Sequence, residues 1–222
     1  MTVLHLADEG EAADLAAFLS RLLHYDRGAA VRLQAAGTAL AVFGRPPSFD
    51  VLAVRAVRLA KPYEDGLDVT LDVTVSAGEL LESVDERGAT ALVPGAVTGP
   101  PWAGVLPPRG GWRPEPGLPA PDALRSLVAA VVAEFRSRTQ ELSPEGRTRA
   151  ELDRIGRDIW SRTVGDTRLP VRAVHAAQSL GFLRPGAPLV LFSSGAWLRL
   201  RTPYGSIAVR QAGLGALDVS VR

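Results

Sequence analysis

The sequence predicts a mixed α+β protein in which antiparallel strands from both ends of the chain pack with helices. Three observations lead there. Runs of strict alternation, such as LDVTLDVTVS (67–76), coexist with runs of helical spacing, such as DALRSLVAAVVAEFRSRTQEL (122–142). Strand-like runs follow one another through tight Gly and Pro turns, as in antiparallel meanders. The 222 residues are 46% hydrophobic and 22% charged, a globular balance, and a chain this long can build a core without a staple.

The first element is a helix over 11–24, EAADLAAFLSRLLH. Leu15, Phe18, Leu19, Leu22 and Leu23 form its apolar stripe, and acids occupy its first turn, where the helix dipole favours them. Strand-like runs follow at 30–35, 38–44 and 50–60. Ala36-Gly37 is the expected hairpin turn, and Arg45-Pro46-Pro47-Ser48 breaks the next junction. In 67–76, Leu67, Val69, Leu71, Val73 and Val75 share one face, and Asp68, Thr70, Asp72, Thr74 and Ser76 the other. A short helix is expected over 78–84.

Residues 94–121 differ in kind. They hold nine of the seventeen prolines and six glycines, which excludes a long helix or a central strand. Yet Trp102, Trp112, Val105 and Leu106 lie within, and a flexible linker is poor in aromatics. Beyond it, a helix is expected over 122–142, capped by Asp122. A second should open at Ser143-Pro144 and run to about Arg162, and a third from Pro170 to Leu180, stopped by Gly181. Strands at 188–194, 196–202 and 205–211 end the series.

This last pattern (helix, strand, Gly turn, strand, Pro turn, strand) echoes the N-terminal one. The reading is therefore a single domain over 1–222 that allows two similar halves: 1–93 and 122–222, joined by the loop 94–121.

Composition narrows the function. With no cysteine, thiolate nucleophiles, iron–sulfur clusters and Cys-type zinc sites are excluded. His5, His24 and His175 show no ligand spacing, and His24, beside the first helix's stripe, is expected to be partly buried. No metal, no cofactor and no catalytic residue is assigned. Ser193-Ser194-Gly195 reads as a hairpin turn, and Glu64-Asp65, Asp68/Asp72 and Asp85-Glu86 as solvated acids. No stretch is long and apolar enough for a membrane helix, and the acidic N-terminus is unlike a secretory signal, so the cytoplasm is expected.

Of 25 basic residues 24 are arginine, as a GC-rich genome would supply. They are unevenly spread: residues 1–120 carry 10 basic and 15 acidic side chains, residues 121–222 carry 15 and 9. Two candidate surfaces result. In PPWAGVLPPRGGWRPEP (100–116), Trp102, Arg109, Trp112 and Arg113 are the residue types favoured as protein-interface anchors. In 144–211, a helix, a second helix and a hairpin follow the order of a winged-helix module, with Arg172, Gln178, Arg199 and Arg201 as the nucleic-acid contacts.

GVLPPRGGW (104–112) with AEFRSRT (133–139) resembles a pattern in an uncharacterised, actinobacteria-restricted protein family. The resemblance implies a lineage and brings no catalytic residues. The leading expectation is a non-catalytic regulatory or scaffolding protein acting through protein–protein contacts as a homodimer. The alternatives are a nucleic-acid-binding protein and an enzyme without a recognisable motif.

Overall fold

The computed structural model describes residues 2–61 and 71–211. Strands β1 (Val3–His5), β2 (Ala30–Ala36), β3 (Ala39–Gly44), β4 (Leu52–Arg58), β5 (Asp72–Ser76), β6 (Thr90–Leu92) and β7 (Arg113–Glu115) precede β8 (Val190–Ser194), β9 (Trp197–Thr202) and β10 (Gly205–Arg210). The helices are α1 (Glu9–Tyr25), α2 (Ala77–Glu82), α3 (Pro121–Gln140), α4 (Arg149–Trp160) and α5 (Val171–Ser179). The fold is mixed α+β, built on an eight-stranded antiparallel sheet of order β5-β2-β3-β4-β10-β9-β8-β7, with β1 and β6 forming a small separate ladder.

Helix boundaries follow local chemistry. The Asp8 carboxylate caps α1 by accepting the Glu11 N–H at 2.9 Å, and Leu15, Phe18, Leu19 and Leu22 are buried. Two expected caps are corrected. Ser143 does not open α4: its hydroxyl accepts the Gly146 N–H in a preceding turn, and Thr148 caps the helix through the Glu151 N–H at 3.3 Å. Asp122 does not cap α3 either, because Pro121 is already its first helical residue. The strand expected at 67–76 is seen as β5 from Asp72, residues 67–70 falling outside the described residues. His24 is exposed, with its ring edge-on to Tyr25.

The sheet joins the two ends of the chain. β2-β3-β4 and β8-β9-β10 are both antiparallel meanders, and their third strands pair with each other. Gly37 and Gly195, at the first turn of each, adopt left-handed conformations with φ of 56° and 54°. Counted from these turns, Ala39 corresponds to Trp197 and Gly44 to Thr202. Through the ladders, Arg58 then corresponds to Arg210 and Val54 to Ser206. Val54 and Ser206 are themselves partners across the β4–β10 seam, so the two meanders face each other about this pair.

Helices cover one face of the sheet, α1 lying against β4 and α5 against β10. Leu33, Leu40, Val42, Val57, Leu198, Leu200, Ile207 and Val209 point into that core, where Phe18 of α1 stacks on Phe182 at 5.7 Å. α3 and α4 run antiparallel, since Glu134 bonds Arg162 while Arg138 bonds Asp158. A part-buried ion cluster centred on the buried Arg55 spans the seam. Arg55 donates to Glu11 at 2.9 Å, to Asp14 at 3.3 Å and to the Tyr204 carbonyl at 2.9 Å. Arg184 closes the cluster on Asp14 at 3.1 Å and lies 3.8 Å over the Tyr204 ring.

Candidate functional site

Strand alternation assigns the sheet's second face. Leu33, Leu40, Leu198 and Leu200 point to the helices, so Arg32, Gln34, Ala41, Phe43, Arg199 and Arg201 point away from them. Among the described residues no α-helix covers this face. The Pro/Gly-rich segment crosses it as a strap.

The strap leaves the edge of β5, where Val97 N–H reaches the Thr74 carbonyl at 2.9 Å, and tightens into a 3-10 turn at Pro101–Gly104. Three contacts hold it. Arg32 donates to the carbonyl of the buried Ala103, while two further bonds, 2.7 and 2.9 Å, tie its guanidinium to Asp72. Gln34 adds a bond of 3.0 Å to Asp72, and the Arg32 bonds hold that carboxyl below the usual range. Trp102 and Leu106 then pack against the apolar patch of Phe43, Leu52, Val54 and Ala208, with Trp197 beside them. Finally, the Trp112 indole N–H donates to the Pro108 carbonyl at 3.0 Å, closing a loop in which Gly111 takes a φ of 75°. β7 ends the crossing as an edge strand on β8, a position that tolerates Pro114.

The residues singled out in the strap therefore divide. Trp102 is half-buried on the sheet, and Trp112 is half-buried with the Arg199 guanidinium 5.7 Å from its ring. Arg109 and Arg113 are exposed, Arg109 lining a cavity of about 270 Å³ with Pro107, Gln34 and Arg199. The other four candidates are split by the sheet. Arg172 and Gln178 belong to α5 on the helical side, where Val171, Ala173, Val174, Ala176 and Ala177 are buried and Arg172 lies 3.9 Å from Asp50. Arg199 and Arg201 lie on the open side. A helix and wing acting on one groove would require them together; the fold keeps them apart.

Around Arg199 and Arg201 the open face is hollow. A cavity of about 630 Å³ is lined by both arginines with Val54, Val190, Phe192, Pro203 and Ser206. Arg199 donates to the Ser206 hydroxyl at 2.9 Å, and burial together with the neighbouring Arg201 charge lowers its pKa. Neither arginine has a carboxylate partner among the described residues. A second cavity, about 310 Å³, lies beyond the strap between Trp102, Val105, Trp197 and Arg210. Val190 and Val105 are exposed large apolar residues on this face. Sequence reasoning missed Arg32, Trp197 and Phe192; the alternation in AWLRLRT would have placed Trp197 with Arg199 and Arg201.

Elsewhere, Ser193 bonds Glu115, and Ser194 donates to the Gly110 carbonyl at 3.2 Å, so both hydroxyls hold the strap's end. No three His, Asp or Glu side chains converge as metal ligands among the described residues, and no helix there is long and apolar enough to cross a membrane.

Fold and face together describe an antiparallel α+β protein with a strapped sheet. In comparison with known families, residues 1–104 are similar to a family described as Domain of unknown function (DUF8010) and residues 107–214 to one described as Domain of unknown function (DUF8185). The two matches meet inside the strap. No curated protein matches the chain.

Proposed function

We propose that the protein is a non-catalytic regulatory or scaffolding protein that binds a protein partner on the open face of its sheet, beside the strap. One observation carries this reading: Val105 of the strap and Val190 of β8 are left exposed on this face, each lining a cavity, the first with Trp102, Trp197 and Arg210 and the second with Arg199 and Arg201. Exposed apolar surface rimmed by arginine and tryptophan is the composition of binding surfaces. On the helical side, Arg138, Arg154 and Arg162 are held by Glu134, Asp158 and Glu151. We place the protein in the cytoplasm of an actinobacterium and propose that it works as a homodimer, with the two halves of the chain sharing one domain.

The test is positional. A photo-crosslinking residue is placed at Val105, at Val190 and, on the helical face, at Arg154 of the full chain in its host. Discrete adducts from the first two positions and none from Arg154 are expected. Adducts from Arg154 alone would refute the assignment. Sedimentation of the purified chain reads the dimer independently.

A further inference from the structure

We propose that the cavity beside Arg199 and Arg201 receives an acidic, extended peptide segment of a protein partner. Two alternate carboxylates would meet the two guanidiniums, and an apolar side chain would enter between Val190, Phe192 and Val54. The proposal rests on the open-face reading and specifies its occupant.

Charge is the first argument. On the helical side Arg154 has Glu151 at 2.5 Å, Arg138 has Asp158 at 2.5 Å and Arg162 has Glu134 at 2.7 Å, while Arg136 and Arg157 point from α3 and α4 with no carboxylate partner among the described residues. Arg199 and Arg201 have no such partner among the described residues, although they stand side by side on one strand and Arg199 is partly buried. Two like charges in a partly desolvated cavity oppose each other, and a bound anion relieves that cost. Arg199 is also pre-positioned. Its Nε is committed to Ser206, while neither terminal nitrogen bonds another protein group among the described residues. Two guanidinium nitrogens free in this way suit the paired oxygens of a carboxylate.

Spacing is the second. Side chains two apart on a strand stand roughly 7 Å from each other. The alternate side chains of an extended peptide repeat at the same interval, so acids at i and i+2 match the arginine pair.

The walls are the third. Val54, Val190, Phe192, Pro188 and Pro203 surround the charges and favour an apolar side chain over a bare phosphate backbone.

Selection of random peptides displayed on phage, against the full chain, tests this. The expected pool is enriched in Asp or Glu at alternate positions flanking Leu, Val or Phe. Its consensus peptide, synthesised with a fluorophore, should lose about tenfold in affinity when its acids become Gln, and similarly on Arg199→Ala/Arg201→Ala. Arg201→Glu, at an exposed side chain with no bond in the fold, guards against a folding defect and should also abolish binding. A pool with no acidic excess, or a consensus that binds the double variant as tightly, overturns the proposal. So does a single-stranded oligonucleotide that outcompetes the consensus at physiological salt. Neutral peptides whose binding is blocked by Val105→Arg would leave the open-face reading standing while removing the acidic occupant. Peptides insensitive to every open-face substitution would remove both.

Discussion

The two meanders agree on the face they bury and part company on the face they show. Leu40 and Val42 of β3 correspond to Leu198 and Leu200 of β9, and all four are buried beneath the helices. On the other face, Ala41 and Phe43 correspond to Arg199 and Arg201. The first pair joins the apolar patch on which Trp102 and Leu106 rest, whereas the second lines the cavity of about 630 Å³. The strap thus closes the sheet around Phe43, and a charged hollow remains beside Arg201. Core packing demands an apolar side chain at these four positions in both halves. Nothing imposes such a demand on the outward positions, so there the halves are free to differ, and it is at that difference that we propose binding.

The seam supplies the largest expected effect. Arg55 occupies the strand position matched by the fully buried Ile207, and it is itself 5% exposed. Arg55→Ala removes the buried guanidinium that joins Glu11, Asp14 and the Tyr204 carbonyl, leaving Glu11 with Arg58 at 2.8 Å, and should cost about 3 kcal/mol in chemical unfolding. Arg55→Met combined with Glu11→Leu removes both charges and should recover most of that loss. If Arg55→Ala alone is neutral, the cluster does not hold the halves together.

Gly205, also at the seam, has a φ of 156°, and a Cβ there would stand 2.5 Å from the Phe182 ring. Gly205→Ala should therefore cost about 2–3 kcal/mol, through displacement of Phe182 and backbone strain. The corresponding residue of the first half, Ala53, already carries a Cβ and is buried.

His175 sharpens the comparison from the helical side. Its ring stacks on Trp160 at 4.7 Å and meets Phe49 edge-on at 5.1 Å, and burial lowers its pKa from the ordinary 6.5. The folded state thus resists a proton that the unfolded state accepts. The stabilisation is present above pH about 6.5 and is lost as pH falls through the lower folded value. His175→Phe should remove that part of the pH dependence, read as the change in unfolding midpoint across the acid range.

Much of the fold was legible in the sequence because its elements are locally consistent. The stripe of α1, the glycine turns at Gly37 and Gly195, and the alternation of β9 each carry their own signal. What was not legible depends on distant partners. β1 and β6 are three-residue strands that depend on pairing across more than eighty residues of sequence, and β7 is an edge strand made possible by β8. Ser143 and Thr148 are equally good caps in sequence; the turn closed on Gly146 decides between them. The candidate site shows the same limit. Trp102 and Arg199 could each be suspected from residue type, but one sheet face uniting them, and separating Arg199 from Arg172, follows only from the ladder registers.

The division of labour between the two halves is tested most directly by comparing two variants in the same pair of assays, equilibrium unfolding and binding of the selected acidic peptide. Trp102→Ala, which strips the strap's half-buried anchor from Phe43, Leu52 and Val54, should lower stability by about 2 kcal/mol. Arg201→Glu, at an exposed side chain with no bond in the fold, should leave stability within about 0.5 kcal/mol of the parent while peptide affinity falls at least about tenfold. A stable Trp102→Ala protein together with a destabilised Arg201→Glu variant that still binds the peptide would contradict the account.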